Sequence, residues 1–148
     1  MLRASILSAL IGAGFMAGAG GIEAAPIFRG GYYEENVNIT CATGASCTAT
    51  FAAVPEEVFL RRASCSVLTS APQVRRAVLG QLAGGTVRRS QFLVPRFVLT
   101  AAGKSQYIVS TDVTLQMDAG EIPAIRVFAN PSVSQSLACQ IIGETGPT

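Results

Sequence analysis

The sequence contains no histidine and no tryptophan, and only 14% of its 148 residues are charged. Each scarcity removes a class of function. Without an imidazole there is no Ser-His-Asp or Cys-His catalytic arrangement and no histidine-based metal site. Without tryptophan, the usual stacking platform for a sugar ring is missing. A single lysine, Lys104, stands against ten arginines, and the net charge of +2 is too small to imply a nucleic-acid partner. The four cysteines show no C-x-x-C spacing, so neither a zinc site nor a redox-active dithiol is expected, and no cofactor is implied.

Apolar residues gather at the N-terminus without reaching the length of a membrane span. Arg3 precedes residues 4–19, which carry no ionisable side chain and draw their apolar surface from Ile6, Leu7, Leu10, Ile11, Phe15 and Met16. The run is glycine-rich and shorter than the ~20 residues a spanning helix needs. Ala17, Gly18, Ala19, Gly20 and Gly21 then supply the small residues that a signal peptidase accepts. Residues 1–25 are therefore expected to be a signal peptide, cleaved after Ala19 or near Ala25, with no stable membrane insertion afterwards. The expected location is secreted or periplasmic. Residues 26–148 suffice for one domain and are too few for two.

Within that domain, apolar residues alternate with period two, the signature of half-buried strands. The clearest stretch is 105–117, where Tyr107, Val109, Thr111, Val113, Leu115 and Met117 share one face and Asp112 lies on the wet one. Further strands are expected near 36–41, 47–54, 57–69, 73–83, 89–100, 122–129 and 136–143. Turn residues separate them: Gly44, Pro72, Gly84 with Gly85, Gly103, Gly120, and Asn130 with Pro131. Pro95 falls inside an apolar run and removes a ladder donor, which marks an edge strand or a bulge. The pattern predicts an all-β fold, a single antiparallel sandwich of about eight strands, jelly-roll-like.

An even cysteine count in a small exported chain favours two disulfides. Cys41 continues the face of Val37 and Ile39, and Cys47 begins the face of Ala49 and Phe51, so the two are expected to bridge the arms of a hairpin. Cys65 is in phase with Ala63 and Val67, and Cys139 with Leu137 and Ile141, which pairs them in the interior.

Carboxylates are available for glycosidase-like chemistry, but most fall in turns or at strand ends, where solvation is their ordinary state. Three arginine doublets stand out: Arg61–Arg62, Arg75–Arg76 and Arg88–Arg89. A meander of the third, fourth and fifth strands would bring Arg61 and Arg62 near Arg88 and Arg89, making an anion-binding patch. Each doublet would offer one arginine to a flat face, since strand neighbours point to opposite sides. Tyr32 and Tyr33 are candidates for a stacking platform, with packing against the domain rim as the ordinary alternative. The sequence thus predicts an exported, non-enzymatic binding or envelope accessory protein, with a protein or polysaccharide of the cell envelope as partner. A self-assembling, adhesin-like surface subunit is the alternative, and a carboxylate-based hydrolase a minor one.

Overall fold

A computed structural model describes residues 25–70 and 73–146. The expected signal segment, except Ala25, lies outside the described residues, as does Pro72. The described chain forms eight strands: β1 (Ile27–Arg29), β2 (Tyr32–Thr50), β3 (Val58–Thr69), β4 (Gln73–Ala83), β5 (Thr86–Leu93), β6 (Pro95–Ala101), β7 (Lys104–Met117) and β8 (Pro123–Thr145). All pairings are antiparallel.

The last strand in sequence is central in space. β8 pairs with β2 along nearly its whole length, with β3 on its C-terminal half and with β4 on its N-terminal half. The order is β1-β2-β8-β3-β7-β6, and β4 and β5 branch from β8. The β2–β8 ribbon changes register between Cys41 and Gly44 and again between Gly44 and Ser46. One arm of the sheet therefore contains residues 32–44 and 133–145, and the other contains 46–50 and 124–128. The result is one sheet curled into a half-barrel, where the alternation alone suggested two separate facing layers. Val37, Val67, Val109 and Ile141 from one arm join Ala49, Leu79, Ile125 and Val127 from the other in a single buried core.

Several expected strands merge or divide. Residues 36–41 and 47–54 belong largely to one strand, β2, and 122–129 and 136–143 to another, β8. The expected strand 89–100 is split at Val94, so that Pro95 opens the edge strand β6, which has a register shift between Phe97 and Leu99. The alternation of 105–117 is preserved in β7: Ser105, Tyr107, Val109, Val113 and Met117 are buried. Its hairpin with β6 turns on Ala102 and Gly103, with φ of 49° and 72°. Two positive φ values are what a two-residue type I′ loop requires.

Disulfides join Cys41 to Cys47 and Cys65 to Cys139. The second links residues directly opposite each other on β3 and β8. The first does not cross a hairpin. Both of its cysteines lie within β2, with α-carbons 5.6 Å apart. Six residues of straight strand would span about 20 Å, so the bridge closes the bend of the ribbon itself. Two disulfides indicate an oxidising environment.

The bridges close loops of very different size, with sequence separations of 6 and 74. Loop-closure entropy assigns about 2 kcal/mol to the short one and about 4 kcal/mol to the long one. Chemical denaturation should therefore show a larger loss of stability for Cys65→Ala than for Cys41→Ala. Equal or reversed losses would refute the entropic ranking.

Candidate interaction surface

The arginine doublets decide where charge meets solvent. In β3 the order is Leu60, Arg61, Arg62, Ala63, and in β4 it is Val74, Arg75, Arg76, Ala77. In each case two exposed arginines lie between two buried residues. Strict alternation would bury one guanidinium. An unpaired buried cation costs several kcal/mol, against about 1 kcal/mol for a lost ladder hydrogen bond, so the strand bulges instead. Register shifts fall at both places, between Leu60 and Arg62 and between Val74 and Arg76. The third doublet lies on a bulge of β5 opposite Gly80, with Arg89 at φ 45°. A β-carbon on Gly80 would sit 2.5 Å from the Arg88 carbonyl oxygen, so only glycine fits there. Both arginines of each doublet are exposed, contrary to the one-per-face expectation.

The expected patch does not form. β3 is paired with β7 and β8 and not with β4, so the meander that would have joined Arg61 and Arg62 to Arg88 and Arg89 is absent. Arg61 Nε donates to Glu144 at 3.2 Å, Arg62 Nε donates to Asp112 at 3.1 Å, and Arg89 pairs with Glu121. Three of the four nominated cations are thus engaged by carboxylates. Arg75, Arg76 and Arg88 have no ion pair among the described residues.

Tyr32 and Tyr33 also separate, because they are strand neighbours. Tyr32 is 39% exposed and Tyr33 only 1%. Tyr32 donates to Glu34, which also accepts from Asn36 and Gln140; these bonds, the tyrosine's first, hold the Glu34 carboxyl below its ordinary pKa. Tyr33 packs against Phe28 in the core and donates to Glu35 at 2.7 Å. The other oxygen of Glu35, a buried carboxylate, accepts the Ala52 backbone N–H at 2.8 Å. Together they clamp the two ends of the bent β2, and no paired stacking platform exists.

The edge position that Pro95 marks is found in β6, but the apolar surface this edge exposes was not read from the sequence. Among the described residues it pairs only with β7, and Arg96 through Ala101 are all exposed. Phe97, Val98 and Leu99 lie there, next to Phe92 at 70% and Val94 at 67% exposure. Phe97 meets Tyr107 edge-on at 5.5 Å. Beside them opens a cleft of about 660 Å³ lined by Ser70, Gln73, Phe97, Thr100, Ser105 and Tyr107. Past the end of β6, the Gln91 side chain closes the exposed edge of β7. Its Nε2 donates to the Thr114 carbonyl at 2.7 Å, and its Oε1 accepts the Thr114 N–H at 3.0 Å. A second cleft, about 350 Å³, lies on the other arm between Ala45, Arg75, Arg76, Phe128 and Ala129. No protein-family model matches the chain, and no curated protein shows significant similarity to it.

Burial, reinforced by the Glu35 carboxylate, pushes the Tyr33 phenol well above its ordinary pKa of 10.0. Because the folded value is the higher one, this stabilisation is complete below the unfolded value and is lost as pH rises beyond it. Tyr33→Phe should cost about 1–3 kcal/mol at neutral pH, the range for leaving a buried acceptor without its partner. Unfolding midpoints above about pH 10 should fall more steeply for the wild type than for the variant. Parallel curves would refute the assignment.

Proposed function

We propose that this chain is an exported, non-enzymatic surface subunit that associates with a second copy of itself through β6. The observation that carries this reading is the outer edge of β6, unpaired among the described residues, together with its exposed Phe97, Val98 and Leu99. Sheet edges are commonly guarded by charge, proline or bulges, and an apolar edge is a template for another strand. Here Pro95 and Arg96 guard one end, and Phe97 through Ala101 carry neither proline nor charge, the shift beyond Phe97 being the one irregularity of that stretch. Antiparallel pairing of two β6 strands about Val98 would set Phe97 opposite Leu99 and Arg96 opposite Thr100. The cation of each copy then faces a hydroxyl and not its own image.

Export is inferred from the apolar, small-residue-terminated run of residues 4–19 and is consistent with the two disulfides. The bend of the β2–β8 ribbon, which carries both strands from one arm to the other, supports a jelly-roll-like sandwich as the finer description of the curled sheet. A binding or accessory role in the envelope is a second reading, favoured by the charge distribution of the β4–β5 arm. A carboxylate hydrolase gains nothing from the two clefts, neither of which is lined by an aspartate or glutamate.

Sedimentation velocity of the oxidised protein over a wide concentration range tests self-association. The wild type should show a concentration-dependent shift to dimer. Val98→Glu should weaken it by at least about tenfold, since like charges would face each other across the pair, while leaving the unfolding midpoint nearly unchanged. A wild type that stays monomeric throughout would overturn the reading.

A further inference from the structure

The arm opposite β6 separates charge completely. Its strand segments, 46–50, 73–83, 86–93 and 123–130, contain Arg75, Arg76, Arg88, Arg89 and Arg126 and not one aspartate or glutamate. Among the described residues only Arg89 receives a carboxylate, from Glu121 in the turn after β7. Arg126 donates to neutral partners, the Thr48 hydroxyl at 2.9 Å and the Gly85 carbonyl at 2.6 Å, so its charge is not compensated.

The geometry orders this charge. Arg76 stands opposite Phe128 in the β4–β8 register, and its guanidinium lies over the phenyl ring, 4.2 Å from the centroid. Stacking holds the planar fork in place while leaving its N–H groups directed outward at its rim. The bulge brings Arg75 to the same outer side, and the second cleft opens between the two arginines, Phe128 and Ala45. Arg126 is two residues from Phe128 on the same face of β8, about 7 Å along the strand. Cations therefore repeat along an open sheet surface, which suits an extended polyanion better than a single enclosed ligand.

We propose that this arm binds an acidic polysaccharide, with one carboxylate seated between Arg75 and Arg76 beside Phe128 and the next toward Arg126. A carboxylate matches the guanidinium fork through two parallel hydrogen bonds. Such a partner belongs to an oxidising compartment, the environment that the two disulfides indicate for the domain. The site lies on a different arm from β6, so it stands or falls independently of self-association.

Calorimetric titration of the oxidised protein with oligogalacturonate, its methyl ester and phosphatidylglycerol vesicles tests the proposal. The acid should bind at low salt and weaken sharply at about 0.5 M salt, while the uncharged ester should not bind. Arg75→Gln with Arg76→Gln should lower affinity at least about tenfold, and Arg126→Gln should lower it by a smaller factor. Arg61→Gln, whose arginine is engaged by Glu144, should leave affinity unchanged. All three sites are solvent-exposed or bonded to neutral partners, and the unfolding midpoint of each variant checks the fold. No binding of the acid, equal binding of the ester, binding of vesicles alone, or an equal loss in Arg61→Gln would each overturn it.

Discussion

The pairing of β2 with β8 is the contact on which every other strand depends. β8 offers one edge to β2 and divides the other between β3 and β4, so both arms are anchored to a single strand. Were the ribbon straight, β3 and β4 would lie end to end and their inward faces would not share a core. The register shifts at Gly44 and the Cys41–Cys47 bridge turn it, and the Glu35–Ala52 bond holds the turned ends together. Local irregularity in one ribbon thus creates the shared apolar interior.

Bulges also determine what the surface presents. Wherever two arginines separate two inward residues, the strand gives up a regular ladder position and keeps both charges in water. Neighbours from distant parts of the chain then decide whether those charges are compensated. Beside β7 and the end of β8, the arginines meet Asp112 and Glu144; beside the first half of β8, Arg76 meets Phe128. Identical dipeptides therefore end in different electrostatic states.

Much of the β content was legible because alternation reports which face a residue occupies. That is why the inward set of β7 and the partners of all four cysteines could be read from phase. Phase does not report which strand lies alongside. A hairpin and a sharply bent strand give Cys41 and Cys47 the same inward phase, and only the partner β8 tells them apart. The Leu60-Arg61-Arg62-Ala63 pattern contained its own signal, since two charges between two core residues cannot fit a period of two. Pro95 signalled the edge, but the exposure of Phe97 and Leu99 on it was not legible, because the apolar side chains themselves look the same in a covered strand and at an open one.

The central position of β8 has a consequence for how the chain comes together. A chain that crosses a membrane or leaves a ribosome N-terminus first delivers β2, β3 and β4 long before the strand they all require. Until residues 123–145 arrive, three strands have unmatched edges and no shared core, and their contacts are among the most distant in sequence. The Cys41–Cys47 bridge spans a short local loop and is available early, whereas Cys65 must wait for Cys139. The order of synthesis thus leaves an interval in which Cys65 is the exposed thiol most open to a wrong partner, and a holding chaperone or disulfide isomerase has its clearest opportunity to act.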